Sequence, residues 1–183
     1  MKIKALFCGA LLAGLVPAGF QATVQGAPTP ATQTREQRGS RSEQDYKFLM
    51  NATRGGMMEV RLGQMAREKS ASANVKSFGE RMATDHGKMN AELHQIAVNK
   101  GASPPAEMTR SDRSEFDKFD NLKGADFDRT YVQNMVKDHQ KDLKEFEDAS
   151  KKLDDKDLRD FARNAIPTLQ EHMRLAKEIE KSK

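Results

Sequence analysis

Apolar residues recur every three or four positions through most of the chain, the spacing typical of α-helices with one buried face. The pattern predicts four long helices, over residues 42–69, 72–100, 126–153 and 154–181. A short helix is predicted in the connection after the second long helix, over residues 111–122. Each long helix of about 26 residues would be about 39 Å long, which suits a bundle made of two helical hairpins.

Two features interrupt the helical pattern. Gly55-Gly56 in the first helix costs roughly 1 kcal/mol per glycine relative to alanine, so we expect a close approach of another helix or a local kink there. Pro167 lies inside the fourth helix and lacks an amide proton, so we expect a kink about one turn before His172. The low aromatic content of 6% and the absence of Trp also favour helices over a β fold.

A twelve-residue pattern occurs twice in the helical regions. The segment Met82 to Leu93 returns 53 positions later as Met135 to Phe146, and Met, Asp, His, Lys and Glu keep the same five places. Each copy places one histidine on an otherwise apolar stripe. The duplication therefore indicates a paired site in the middle of the bundle.

Each long helix carries one polar residue on its apolar stripe, near its middle: Glu59, His86, His139 and His172. Mid-helix positions converge when neighbouring helices are antiparallel, and imidazole and carboxylate are ligands for iron, manganese, zinc or copper. Two interpretations stay open. The four side chains form either a metal or proton-linked site, or a polar cluster whose members hydrogen-bond one another because unpaired burial costs roughly 2 kcal/mol each.

An acidic residue precedes each of these histidines: Asp85, Asp138 and Glu171. In one interpretation the acids lie on a solvated face and pair with nearby lysines such as Lys88 and Lys141, at about 0.2–0.5 kcal/mol per pair. In the other, Asp85 and Asp138 turn inward as ligands or orient a histidine of a neighbouring helix.

Other motifs add little chemistry. Met82, Met89, Met135 and Met173 flank the stripe histidines and either hold Cu(I) or fill irregular gaps in the core. His94 lies off the stripe and is predicted to be a surface residue. No phosphate-binding loop, nucleophile elbow or His-Glu-x-x-His motif occurs in the sequence, and no catalytic residue is predicted.

The first 27 residues have the order of a secretory signal peptide: basic Lys2 and Lys4, a short apolar run, then small residues up to Ala27. Cys8, the sole cysteine, lies inside that segment. We therefore expect a mature chain without cysteine in the periplasm or outside the cell. Residues 28–42 are polar and proline-containing and predict a disordered leader, which leaves residues 43–181 as one helical domain.

The charges restrict the choice of partners. The net charge of +4 is spread evenly along the chain, so no nucleic-acid surface is predicted. No segment of the expected mature chain has the roughly 20 apolar residues of a membrane span. Arg35, Arg38 and Arg41 in the leader could contact anionic lipid or polysaccharide, which leaves an envelope scaffold or a protein partner as an alternative function. The sequence does not fix the oligomeric state.

The chain resembles a bacterial family of exported ferritin-like proteins of unknown function, often labelled "putative outer membrane protein". The resemblance covers about residues 43–180. The matching stretches are Asp45 to Leu49, Gly56 to Gly63, Val75 to Phe78 continuing to His86, Phe127 to Tyr131, Met135 to His139, and Ile166 to His172.

The resemblance implies a ferritin-like antiparallel four-helix bundle with a short extra helix in the long central connection. Di-iron members of that fold use Glu-x-x-His on two helices. Here Ala83, Val136 and Leu169 stand three residues before the histidines, which argues against ferroxidase chemistry. The leading hypothesis is an exported, non-enzymatic binding or stress-related factor with a His/Glu core. The alternative is a copper-, iron- or manganese-binding protein that sequesters metal or detoxifies oxidants.

Overall fold

A computed structural model of the chain describes residues 43–182, and within this range it contains five helices and no strand. The helices are α1 Glu43–Lys69, α2 Ala73–Asn99, α3 Arg110–Asp120, α4 Gly124–Lys152 and α5 Lys156–Lys181. The predicted all-α class is confirmed, as is the short extra helix in the long connection. The predicted signal peptide, residues 1–27, and leader, residues 28–42, lie outside the described residues.

The four long helices form two antiparallel hairpins, α1 with α2 and α4 with α5, and the hairpins pack through α2 against α5 and α1 against α4. Phe48, near the start of α1, meets the ring of Phe146 near the end of α4 at 5.2 Å and that of Phe161 near the start of α5 at 6.5 Å. The start of α1 therefore lies at the same end of the bundle as the α4–α5 turn. It follows that neighbouring helices are antiparallel and that the connection containing α3 spans the length of the bundle, the ferritin-like arrangement.

The apolar core is divided into two clusters along the bundle axis. The cluster at the Phe48 end, here the Phe48 cluster, includes Leu49, Leu93, Leu143, Phe146, Leu158, Phe161 and Leu169. The cluster at the other end, here the Phe127 cluster, includes Leu62, Val75, Phe78, Met82, Tyr131, Met135, Ala176 and Ile179. On every long helix a buried glutamate or histidine lies between the positions that belong to the two clusters, and on α1 the buried Thr53 lies there as well. The core therefore contains a polar layer between two apolar halves.

The backbones of α1 and α2 come close together at Gly63 and Gly79. A Cβ atom on Gly63 would lie 2.5 Å from the carbonyl oxygen of Gly79, and one on Gly79 would lie 2.6 Å from that of Gly63. At Gly55, by contrast, a Cβ would meet nothing within 4 Å, and at Gly56 it would meet the side chain of Asn90. The predicted close approach of another helix is therefore found at Gly56, through the Asn90 side chain of α2, and the contact between the two backbones lies two turns further on, at Gly63 and Gly79.

Two buried aspartates connect each hairpin to the turn of the other. Asp45 in α1 accepts hydrogen bonds from the backbone amides of Asp154, at 3.0 Å, and Asp155, at 3.2 Å, in the α4–α5 turn. Asp128 in α4 accepts one from the amide of Ser72, at 3.2 Å, in the α1–α2 turn. Both carboxylates are only 4% exposed. These bonds satisfy turn amides that would otherwise be orphaned at the helix starts and fix the relative position of the hairpins.

The ends of the helices follow the sequence signals. Thr109 and Asp112 form a reciprocal capping box at the start of α3, and the Asp155 carboxylate accepts from the first amides of α5. α5 continues through Pro167 without a break. Between residues 43 and 182 no helix combines the length and the apolar character that crossing a membrane requires.

Replacing Gly63 by alanine should destabilise the protein by roughly 1–3 kcal/mol, because α1 and α2 must separate to admit the methyl group. Gly55→Ala on the same helix is the matched control and should stabilise by about 0.5–1 kcal/mol, since the site is open and alanine favours the helix. Chemical denaturation monitored by circular dichroism measures both changes. Equal effects of the two substitutions would contradict the backbone contact.

Candidate functional site

The polar layer consists of Glu59, His86, His139 and His172, one from each long helix, with exposed fractions of 5%, 4%, 0% and 0%. The three imidazole centroids lie 5.2–5.6 Å from one another. One ring nitrogen of each histidine lies within 4.8 Å of those of the other two. The antiparallel arrangement therefore brings together the four residues named from the sequence.

Each histidine has one ring nitrogen facing an oxygen atom. Nδ1 of His86 lies 2.9 Å from Oε2 of Glu59, and Nδ1 of His139 lies 3.0 Å from the carbonyl oxygen of Met135. Nε2 of His172 lies 3.0 Å from Oδ2 of Asp85. A carbonyl oxygen and an ionised carboxylate can only accept, so with Glu59 ionised the hydrogen-bond network assigns the ring proton of each neutral histidine to this outer nitrogen.

The other nitrogen of each ring then carries a lone pair. Nε2 of His139 and Nδ1 of His172 face each other at 3.3 Å, and in these tautomers neither nitrogen carries a proton. Nε2 of His86 is buried and has no hydrogen-bond partner among the described residues. Burial is the main cause that lowers the pKa of all three histidines to about 4, so all three rings are neutral at neutral pH.

Within the described residues, only one of the two carboxylate oxygens of Glu59 has a hydrogen-bond partner. Its Oε1 lies 3.5 Å from Nδ1 of His139, but that nitrogen directs its proton to Met135, so Oε1 makes no hydrogen bond within the described part of the chain. Burial raises the pKa of this carboxyl to about 7. Glu59 thus orients His86 with one oxygen and leaves the other unsatisfied.

The three acids that precede the histidines have different environments. Asp85 binds His172 on the neighbouring helix and lies 3.5 Å from Nε of Arg81, one turn earlier, rather than pairing with Lys88. Burial acts to raise the pKa of Asp85, but the bonds from His172 and Arg81 hold it below its usual value. Asp85 therefore has the geometry of the inward interpretation.

Asp138 and Glu171 do not contact the histidine rings through hydrogen bonds. Asp138 accepts from the Asn134 amide at 2.6 Å instead of pairing with Lys141. Glu171 lies at the surface, where it accepts from Arg174 at 2.7 Å and lies 3.6 Å from Arg81. The solvated interpretation thus fits Glu171, while Asp138 is half-buried beside a cavity.

That cavity of about 320 Å³ lies beside the polar layer, between α1, α3 and α4, and Glu59 and His86 form part of its wall. Its acidic lining is Glu59, Asp112, Glu115, Asp138, Asp142 and Glu145, and its basic lining is Arg54 and Lys141. Burial, followed by the charges of Glu59, Asp138 and Glu145, raises the pKa of Asp142 to about 8. We refer to this space below as the acidic cavity.

The acidic cavity was not predicted from the sequence. Asp138, Asp142 and Glu145 follow one another at steps of four and three, which is the spacing of one helix face beside the apolar stripe. Acids at that spacing are also typical of a solvated face. The contribution of α3, through Asp112 and Glu115, has no local signal because it depends on where the long connection packs.

The methionines and His94 match the simpler interpretations. Met82 and Met135 are fully buried in the Phe127 cluster, and Met89 and Met173 pack against the Phe48 cluster, as gap-filling residues do. Met135 contacts His139 through its carbonyl oxygen. His94 is exposed, as predicted.

Fold and site together define a class: an antiparallel four-helix bundle whose core contains three histidines with inward lone pairs. The chain belongs to the family described as "Domain of unknown function (DUF4142)", whose family model matches residues 29–179. The family description names neither an activity nor a membrane location, so it lends no support to the outer-membrane label.

A solved structure supports the fold alone. The crystal structure of a DUF305 fragment from Deinococcus radiodurans is similar with a TM-score of 0.68 and 14% sequence identity, over 78% of this chain and 99% of that chain. No protein of curated function matches the chain in sequence.

Replacing Asp142 by asparagine should stabilise the protein in a pH-dependent way. The pKa of this carboxyl is about 8 in the folded state and about 3.8 in an unfolded chain, so the folded state binds more protons between these values. The stability cost of Asp142 therefore grows as pH rises through this window and is largest above its upper end. We expect near-equality with the parent at the acid end and a gain of roughly 1 kcal/mol or more at the alkaline end.

Urea denaturation across that pH range measures the difference. Asp148→Asn on the same helix is the control, because hydrogen bonds from Lys152 and Lys144 lower the pKa of that exposed carboxyl. It should not produce a gain that grows with pH. A constant difference between Asp142→Asn and the parent would contradict the raised pKa.

Proposed function

We propose that this protein binds one divalent transition-metal ion through the inward ring nitrogens of His86, His139 and His172. The observation that carries the proposal is the hydrogen-bond pattern of these rings. Each outer nitrogen donates to an oxygen, and Nε2 of His139 and Nδ1 of His172 point lone pairs at each other across 3.3 Å. A cation bound between these two nitrogens would be coordinated by both lone pairs, which removes the repulsion between them.

The distances fit such an ion. Two nitrogens bound to one zinc at about 2.0–2.1 Å in a tetrahedral site lie about 3.4 Å apart, close to the 3.3 Å between His139 and His172. One ring nitrogen of each histidine lies within 4.8 Å of those of the other two. A modest inward shift of one ring would therefore allow all three nitrogens to coordinate the same ion. Neutral imidazole suits zinc, copper, iron and nickel.

The surrounding residues fit the role of orienting groups. Metal-bound histidines commonly donate their outer N–H to a carboxylate or a backbone carbonyl, which fixes the ring and raises its basicity. Glu59, Asp85 and the Met135 carbonyl occupy these positions. Glu59 therefore orients His86 through a hydrogen bond, in place of the direct ligand role expected from its sequence position.

A purely polar cluster explains the site less well. In such a cluster every buried donor and acceptor finds a partner, because an unsatisfied buried group costs roughly 1–3 kcal/mol. Here the described residues contain four buried side-chain atoms without a partner, and Glu59 Oε1 and His86 Nε2 both belong to the polar layer.

The biological setting of the proposal is metal binding outside the cytoplasm. The signal-like segment over residues 1–27 supports export, and the lack of Glu-x-x-His at the stripe histidines favours binding over di-iron oxidation. The protein would then sequester a metal ion in the periplasm or outside the cell and limit the oxidant chemistry that free metal supports.

Metal-stripped mature protein should take up one equivalent of Zn²⁺, and the His86→Ala/His139→Ala variant should lose this uptake. Isothermal titration followed by elemental analysis after desalting measures both. His94→Ala is the matched control, because it removes an exposed imidazole from the same helix as His86. Equal uptake by the parent and the double variant would refute the proposal.

Asp85→Asn should weaken Zn²⁺ binding about 10- to 100-fold while leaving the stoichiometry unchanged, because His172 loses its negative orienting partner. Glu171→Gln is the control: it removes a carboxylate that also contacts Arg81 but bonds no histidine. Competition with a zinc-sensitive dye gives the affinities. If both variants bind as the parent does, Asp85 has no part in the site.

A further inference from the structure

We propose that the metal ion reaches the three histidines through the acidic cavity and that α3 is the lid of this entrance. The inference rests on the metal-binding function proposed above and adds the path of the ion and the element that limits its rate. It concerns the kinetics of binding, whereas the function above concerns the site at equilibrium.

The three histidines differ in their access from outside the core. His139 and His172 are 0% exposed, whereas His86 is 4% exposed and forms part of the wall of the acidic cavity. The Phe48 cluster and the Phe127 cluster close the polar layer toward both ends of the bundle. An ion must therefore approach the layer from the side, and the acidic cavity is a space on that side whose wall includes one of the ligands.

A second lateral approach, past Asp85, is filled by side chains. Asp85 lies 3.0 Å from the outer nitrogen of His172, so an ion arriving there meets a nitrogen that already donates its proton. Arg81 lies 3.5 Å from Asp85 and 3.6 Å from Glu171, which places its positive charge on this side of the bundle. The guanidinium repels a cation, so the acidic cavity is the more favourable path.

The lining of the acidic cavity attracts cations. It carries six carboxylates, against the two basic side chains of Arg54 and Lys141. A recess lined by one sign of charge raises the local concentration of the opposite ion and its association rate. This effect acts on an ion in passing and does not require the carboxylates to converge on one point. The cavity therefore has the properties of an entrance, and the coordinating atoms remain those of the histidines.

α3 forms part of the wall of this entrance but has little anchorage in the core. Asp112 and Glu115 of α3 line the cavity. Two buried residues hold the segment: Met108, just before its start, and Phe119, whose ring lies 6.5 Å from that of Phe127 in α4. Between these two anchors no residue of α3 is buried. A rotation of α3 about the line between the anchors therefore opens the cavity and leaves the packing of the four long helices intact.

Exposed side-chain contacts hold α3 closed against α1. Each of them involves at least one exposed residue, and single contacts of this kind contribute little to stability. Segments held in this way open locally at a lower free energy than the core does. The contacts are the Arg54–Asp112 ion pair at 3.7 Å, the guanidinium of Arg61 at 5.2 Å from the ring centroid of Phe116, and the ion pair of Lys69 with Asp120.

Linking α3 to α1 tests the lid. In the mature chain expected from residue 28 onward, which contains no cysteine, Arg61→Cys/Phe116→Cys is joined by a bismaleimide whose spacer contains a cleavable disulfide. Linking should slow the stopped-flow uptake of Zn²⁺ by metal-stripped protein about tenfold or more, with one equivalent still bound at equilibrium. Reductive cleavage of the spacer, followed by desalting, should restore the rate. Equal rates before and after cleavage overturn the lid.

Weakening one contact should have the opposite effect. Arg61→Met removes the contact with Phe116 and should raise the rates of Zn²⁺ association and dissociation together, by about two- to fivefold, at unchanged affinity. Arg67→Met is the matched control, since it removes the same charge from an exposed residue of α1 that lies beside Glu80 and Ala83 of α2. The control should keep both rates of the parent. If Arg61→Met also keeps them, α3 is not the lid.

Charge substitutions test the entrance itself. Asp142→Asn/Glu145→Gln should lower the association rate about tenfold at low ionic strength and much less at high salt, which screens the cavity. Glu147→Gln/Asp148→Asn removes the same charge from the same helix outside the lining and should associate as the parent does. Equal rates for the two double variants overturn the entrance. A parent that binds no Zn²⁺ at equilibrium refutes the proposed function and this inference with it, whereas full binding at rates that none of these changes alters overturns this inference alone.

Discussion

The polar layer depends on one constraint: three neutral imidazoles are buried together, and each has one proton to donate and one lone pair to satisfy. Oxygen atoms of the surrounding helices take all three protons, through Glu59, Asp85 and the Met135 carbonyl. No proton is then left for the inner nitrogens. The fold thus favours tautomers that direct lone pairs inward, and the proposed metal site rests on this arrangement.

Contacts in the rest of the bundle stabilise the fold around this layer. Apolar clusters on both sides supply the burial that favours folding, and they separate the layer from the two ends of the bundle. The contact between Gly63 and Gly79 holds α1 against α2, and the bonds of Asp45 and Asp128 connect the hairpins through their turns. Because rigid contacts lie on both sides of the layer, the imidazoles cannot relax far apart, and their unfavourable arrangement persists in the folded protein.

The sequence predicted the helices and the four polar-layer residues because both follow from a single periodic stripe. A stripe shows which residues face the core, and mid-helix positions must meet when neighbouring helices are antiparallel. It does not show side-chain rotation, so Asp85 and Asp138 remained open between an inward and a solvated position. The Gly63–Gly79 contact and the contribution of α3 to the acidic cavity were missed because both depend on packing between segments, which leaves no periodic signal.

Glu59 couples protonation to the histidines of the polar layer. One of its oxygens accepts the proton of His86, and burial raises the pKa of its carboxyl to about 7. An ionised Glu59 is the stronger acceptor for the Nδ1 proton of His86, and that stronger bond makes Nε2 of His86 a better ligand for the proposed metal ion. The effect must be reciprocal, so an ion at the three histidines would favour the ionised form of Glu59 and lower the pKa of its carboxyl. Metal binding and the ionisation of one buried glutamate would therefore support each other within the polar layer.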